Sequence, residues 1–410
     1  DVDYLRDNRD ENMGFLSKTL LPDGTEIPGT NFDYNYLQHR KVDVVSSALD
    51  FILPFEKYKI TAGAKVSFTN TRNGINYDTS DPTLVQDDYF RYKEQIYALY
   101  ADYSREYSER FSMQLGLRME HTRTTGISEA KDTEDKHDYT RLFPTVYLLY
   151  SPTDGHALNF SFSNRISRPS QNMVNPFPFY QNKYTYACGR EDLKPSYTYN
   201  AELGYTLKNN FNVSAYYSYS DDVFFQVVDL DAETNVTSFL WENFMQTHAF
   251  GLNNSYTFRT KWLQAYAQHG VSYRRTTSSA ATTSPEEKGW AYDASLRNTF
   301  FFNEKKTLLA TLSGSYSSRQ YQGIYLMSPT YSVSAGMLYR LLDNKLNLSL
   351  NVNNLFVSHS KLETMSNGLK IIADNQFSFT SFRIGVSYTF GGDIRSKGQR
   401  NSNEDIQRRL

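Results

Sequence analysis

Seven histidines and a single cysteine are the chain's first candidates for metal binding or nucleophilic chemistry, and their spacing serves neither. Histidines 39, 121, 137, 156, 248, 269 and 359 never fall at the short intervals that bring two imidazoles to one zinc ion. Cys188 stands alone, which excludes a disulfide framework and a thiolate cluster and reads as a quiet buried or loop thiol. The run Asp229-Leu230-Asp231-Ala232-Glu233 offers oxygen ligands of the kind calcium takes; its plainer reading is a solvated acidic loop. Lys131 to Lys136 is a mixed-charge loop tip, and Asn235-Val236-Thr237 is an acceptor pattern for glycosylation. No nucleophile–base pairing and no phosphate cradle is present, so the sequence offers no sign of an enzyme and calls for no cofactor. Aromatics in long polar stretches are better candidates for ligand contact: Phe177, Phe179, Tyr180, Tyr184, Tyr186 and Trp241. Such rings stack on sugars, catechols or apolar groups at a concave mouth. The alternative is that they pack loops against one another or sit at a membrane interface.

The elements that would position these rings are strands. Alternation with period two recurs from about residue 42 to Phe390. Leu346, Leu348, Leu350 and Val352 share one face, and Lys345, Asn347, Ser349 and Asn351 the other. The same holds for Phe111, Met113, Leu115, Leu117 and Met119, set against Ser112, Gln114, Arg118 and Glu120. Successive side chains of a strand point to opposite faces, so each segment has one apolar and one polar side. Composition agrees: Tyr 33 and Phe 27 dominate an aromatic content of 15%, as suits a pleated surface. Lys+Arg 43 against Asp+Glu 45 leaves no basic excess for nucleic acid. No window is long and apolar enough for a spanning helix, whereas a membrane barrel averages out as hydrophilic because its strands alternate.

Connections alternate in length. Short ones fall at 54–57, 153–155, 209–210, 260–261, 303–305 and 343–344. Long polar stretches lie between them, at about 70–88, 123–138, 167–195, 229–240, 277–288, 320–328 and 358–374. About fifteen strands result, most of ten residues or more, longer than the strands of soluble sandwiches. The apolar registers hold no Lys, Arg, Asp or Glu, which is what lipid exposure demands, since a mid-bilayer Lys or Arg costs about 2–4 kcal/mol. A sandwich would also alternate, but lacks a reason for this exclusion; a solenoid would repeat at a fixed period, and none is present. The expected fold is all-β, an antiparallel transmembrane barrel of the outer-membrane type, with this chain supplying part of a larger, 22-stranded one.

Tight turns in such barrels face the periplasm. The first strand, placed at 42–53, then runs inward, and residues 1–40 are expected as an extracellular loop region. Residues 41–392 form the barrel portion, and 393–410 a polar periplasmic tail. An odd count that starts outside implies that strands precede residue 1. There is no signal peptide at Asp1-Val2-Asp3-Tyr4; either processing removed it or this is the C-terminal part of a longer protein.

Two stretches are more specific than alternation. Residues 163–205 contain SNRISRPSQNMVNPF followed by GREDLKPSYTYNAELGY. This resembles TonB-dependent outer-membrane receptors, in which a strand ends in an SRP…NPF loop and a GNPdLkPe…ElGY segment enters the next. Arg168, Pro169, Asn175, Pro176, Phe177, Asp192, Leu193, Lys194, Pro195, Glu202, Leu203, Gly204 and Tyr205 match. Arg190-Glu191 stands for the usual Asn-Pro and Ser196 for the usual Glu. Asn351 to Phe356, with Asn354 and Phe356 in the NLF-like positions, is similar to a C-terminal motif of the same receptors. Phe390 takes the place of the terminal aromatic read by the barrel-assembly machinery. These residues also have a physical reading: prolines end strand pairing, and Asn tolerates turn conformations.

The resemblance implies a Gram-negative outer-membrane receptor in contact with outer-membrane lipid, with a plug domain and a TonB complex as partners. The ligand would be extracellular, a siderophore, glycan, peptide or similar. A passive porin-like channel and a surface adhesion or assembly protein without transport are the other readings.

Overall fold

The computed structural model describes residues 1–79, 87–357, 360–375 and 380–390. Seven long strands open the chain: β1 (Val2–Ser17), β2 (Phe32–Pro54), β3 (Tyr58–Thr79), β4 (Asp88–Ser108), β5 (Phe111–Ser128), β6 (Thr133–Tyr150) and β7 (His156–Ser167). A loop follows that carries one helical turn, α1 (Gln171–Val174), and a small hairpin, β8 (Phe179–Asn182) and β9 (Thr185–Cys188). The wall resumes with β10 (Ser196–Leu207), β11 (Phe211–Asp231), β12 (Val236–Arg259), β13 (Leu263–Ser278), β14 (Glu286–Phe301) and β15 (Leu308–Ser317). Short strands β16 (Gln320–Gln322) and β17 (Tyr325–Met327) precede β18 (Thr330–Leu341) and β19 (Leu346–Val357). Then come β20 (Ser360–Ser366), β21 (Leu369–Asn375) and β22 (Ser381–Tyr388).

Eighteen of these strands form one sheet, and β16, β17, β20 and β21 form a second, four-stranded one in the loops. Setting aside β8 and β9, the wall is an antiparallel meander of sixteen long strands from β1 to β22, each paired with its neighbours. The sheet is not closed: among the described residues β1 pairs only with β2, and β22 only with β19.

Turn chemistry explains the tight end. Lys208 and Asn209 take φ of 49° and 56°, and Asp343 and Asn344 take 54° and 66°. That left-handed region, which Asn and Asp tolerate, reverses the chain within the three residues between Leu207 and Phe211 and the four between Leu341 and Leu346.

Cross-strand pairs build an apolar belt on the outer face. Leu49, Ala64, Leu99, Met119 and Leu142 stand opposite one another across β2 to β6. Farther round, Leu252 meets Val271, and Leu350 meets both Met337 and Ile384. Leu49, Leu99, Leu252 and Ile384 are all exposed, a surface that makes sense only in lipid. Opposite faces of the same strands carry Ser67, Thr69, Glu94, Glu120, Asn200 and Ser295, as the alternation requires.

Three expectations are corrected. Residues 1–40 are not a loop: Val2–Ser17 is a strand paired along its whole length with Phe32–Ser47, and only 18–31 connect the two. Its alternation is hidden because only Val2 and Tyr4, opposite Ser47 and Val45, lie level with the apolar belt; beyond them polar residues suit both faces. With β1 added the wall has sixteen strands, in keeping with about fifteen, but the first runs from the tight-turn side toward the long loops. The parity argument for missing strands therefore falls.

The third correction concerns polar stretches read as loops. β3 reaches Thr79, β5 and β6 leave only a short tip between Ser128 and Thr133, and β11 and β12 one between Asp231 and Val236. Ladder hydrogen bonds join main-chain groups and persist where both faces meet water. The tail 393–410 and Gly391-Gly392 lie outside the described residues.

Candidate ligand-binding mouth of the barrel

At the long-loop end, β2, β3 and β4 turn Phe32, Tyr34, Tyr36, Ile75 and Phe90 to the inner face. The loop between β7 and β10 folds onto this wall. Its Val174, Phe177, Tyr180 and Leu193 join the same buried cluster. Tyr180 packs 5.2 Å from Tyr34, Phe179 5.6 Å from Tyr36, and Phe177 6.4 Å from Phe90, ring to ring. The hydroxyls of Tyr34 and Tyr77 both donate to the Pro178 carbonyl, at 3.0 and 3.2 Å.

The loop is a compact unit. Gly189 N–H donates to Asn175 and Arg190 N–H to Met173, each at 2.9 Å. The Cys188 thiol donates to Pro176 at 3.1 Å, and burial pushes its pKa up, away from a reactive thiolate. Strand β9 adds itself parallel to β12, Thr185 to Cys188 against Thr237 to Leu240. Beside it, Arg190 bonds Asp192 and reaches Glu242 of the same β12 at 2.9 Å. That guanidinium holds the Asp192 carboxyl below the usual carboxylate range.

Arg168 fixes where the loop begins. Its guanidinium enters the inner wall, bonded to Glu120 of β5 and 3.9 Å from Glu94 of β4. Glu120 also accepts from Arg118 at 2.6 Å. The side chains of Arg168, Glu94 and Glu120 are 10%, 4% and 5% exposed, so this is a nearly dry ionic cluster. The sequence singled out Arg168 by motif alone; Glu94 and Glu120 carried no signal beyond being carboxylates on the polar face.

The predicted site residues divide by this packing. Phe177 is 2% exposed and Tyr180 8%, so as placed they offer a ligand almost no surface. Phe179, Tyr186 and Trp241 are partly buried against the cluster, and Tyr184 is 48% exposed. Of the motif residues, Asn175, Pro176, Leu193 and Pro195 are buried with the loop, and Pro169 is half-buried beside Arg168. Glu202 lies on the inner wall opposite Tyr216. Asn354 takes φ of 55° where β18 and β19 slip register, which is the conformation its type tolerates. Phe356 and Phe390 are exposed, at 65% and 86%. Asp231, in the acidic run, spends its carboxylate on the Thr234 hydroxyl and the Glu233 amide of its own hairpin.

Residues 1–388 match the outer membrane protein beta-barrel family. The chain belongs to that family. No curated protein matches it in sequence. Among solved structures it is similar to the ferric yersiniabactin uptake receptor FyuA from Yersinia pestis, at 16% identity and a TM-score of 0.60, covering 88% of this chain and 56% of that one. The copper transporter OprC gives 13% identity and a TM-score of 0.60, covering 93% and 65%. The structure of the FpvAI–pyocin S2 complex gives 16% identity and a TM-score of 0.59, covering 94% of this chain and 52% of that one. At these identities the likeness is one of fold, and the chain spans about half the length of FyuA and of the FpvAI chain. The resemblance to TonB-dependent receptors in the two sequence stretches is matched by fold, and this family member is an outer-membrane β-barrel protein.

Proposed function

We propose that this barrel is the wall of an uptake receptor that captures a ligand at its long-loop mouth and admits it through the lumen. The observation that carries the reading is the mouth itself: one loop, seated by Arg168 and an aromatic core, folds against the inner face of the wall at its long-loop end. The fold shared with siderophore and copper transporters supports the same reading. Tight turns then face the periplasm and long loops the outside, with energy supplied through TonB acting on a plug. Tyr184, Tyr186, Phe179 and Trp241 are the rings placed to meet a ligand at the rim, and no chemistry is asked of the wall.

Accumulation of candidate ligands is the test, in cells carrying the full-length protein, with and without an energised inner membrane. Energy-dependent accumulation is expected. Uptake that persists after the proton gradient is collapsed points to the passive channel, and surface attachment without accumulation to the adhesion protein.

A further inference from the structure

Beyond the apolar belt, the outer face of β2 to β4 carries like charges in direct register. Lys41 pairs with Arg72, and Arg72 pairs with Arg91. Lys93, opposite Asn70, lies one step nearer the belt on that face, and Arg123, opposite Gln95, one step nearer again. Like charges directly opposed across a sheet destabilise it, so the row calls for an anion.

The neighbouring carboxylates meet this charge only in part. Asp43 is 4.0 Å from Arg72 but is held by Arg6 at 2.6 Å and by the Tyr4 hydroxyl at 2.8 Å. Glu129 comes within 3.5 Å of Arg91, and Asp138 takes up Arg123 at 2.8 Å, which leaves Lys41, Arg72 and Lys93 with the least compensation. A contrast stands across the barrel, where Arg275 directly opposes Lys288. There Glu286 lies between the two cations and accepts from each at 2.6 Å.

Height points to the missing partner. Val45 and Phe68 are opposed at the upper edge of the belt, with Leu49, Ala64 and Leu99 below. From Phe68 to the level of Lys93 is two residues along a strand, about 7 Å. With a strand tilt of about 40° this is a rise of roughly 5 Å, inside the headgroup layer. The Lys41–Arg72–Arg91 row sits about as far again above it, within reach of long side chains.

We propose that Lys41, Arg72, Arg91 and Lys93 bind the phosphate groups of an anionic lipid whose acyl chains lie on the Leu49–Leu99–Met119 belt. The site requires the belt to face a membrane and is independent of the transport proposal. Phosphatidylglycerol and phosphatidylcholine serve as probes, with retention by the full-length protein in neutral detergent read by native mass spectrometry. Wild type should retain phosphatidylglycerol in preference. Arg72→Gln/Arg91→Gln/Lys93→Gln should weaken that retention by about tenfold or more, while Arg275→Gln/Lys288→Gln should leave it unchanged. Should the triple variant fail to fold, R72Q and K93Q alone should each lose a few-fold. Equal retention of the two lipids by wild type, or undiminished preference in the substituted proteins, overturns the proposal. So does an equal loss in the Arg275/Lys288 variant, which would mean nonspecific charge. Displacement of the lipid by millimolar inorganic phosphate would mark a free-anion site and equally overturn it.

Discussion

Replacing Arg168 by Ala should release the mouth loop while leaving the barrel standing. The guanidinium bonds Glu120 and lies 3.9 Å from Glu94, all three side chains being nearly dry. At that distance, and an effective dielectric of about 20, each carboxylate gains roughly 4 kcal/mol from the cation before desolvation is counted. Glu120 keeps Arg118 at 2.6 Å, and water can enter once the loop lifts, so a net cost of about 2–4 kcal/mol is expected. The cost falls on opening the loop. Its reporters are the amides of Gly189 and Arg190, which donate to Asn175 and Met173. Their hydrogen exchange should quicken by roughly 30- to 700-fold, while amides of the β4–β5 ladder change little. Adding Glu94→Gln to Arg168→Ala should recover about 1–3 kcal/mol of this, since the stranded charge is then gone. Loop exchange within twofold of wild type, or strictly additive effects in the double variant, would refute the idea that Arg168 seats the loop.

The other predictions use the same frame. Gly189→Ala places a methyl against the Asn175 amide, 2.8 Å from its nitrogen, and should loosen the loop by about 1–3 kcal/mol, measured by the same exchange. Phe177→Ala should cost about 3–5 kcal/mol of loop stability, whereas exposed Tyr184→Ala should change it by less than about 0.5 kcal/mol and lower ligand capture instead. Because Arg190 depresses the Asp192 pKa, that pair stabilises the loop above the ordinary carboxylate range and the benefit is lost as pH falls through the lowered value. Protection of the loop amides, taken relative to their intrinsic exchange rate at each pH, should therefore fall on acidification below about pH 4, and Asp192→Asn should flatten that fall. Cysteines placed at Leu350 and Asn351 should label from lipid and from water respectively; equal labelling would contradict the assigned faces.

Strand identity was legible wherever one face meets lipid. Leu346, Leu348 and Leu350 alternate with polar neighbours because an acyl environment tolerates nothing else, and their register with Tyr388, Val386 and Ile384 follows. Beyond the belt both faces are wet and that constraint vanishes, which is why Val2–Ser17, rich in Asp, Arg and Asn, looked like a loop. The mouth was half legible. Arg168 and the loop prolines stood out by motif, but whether Phe177 meets ligand or packs inward depends on Tyr34 and Phe90, residues far off in sequence. The lumen carboxylates that receive Arg168 were invisible for the same reason.

The polar continuation of the ladder above the belt makes the protein an object of two materials with separate rules. Below, strand length is tied to membrane thickness and every second side chain is dictated by it. Above, height is free, so long as parity is kept. Adding two residues to each arm of the β5–β6 or β11–β12 hairpin would raise that part of the collar and leave every inward residue inward. One residue added to a single arm would demand a bulge, or turn an entire inner face outward. Lineages of this fold can thus lengthen or shorten the mouth in steps of two without renegotiating their fit to the bilayer.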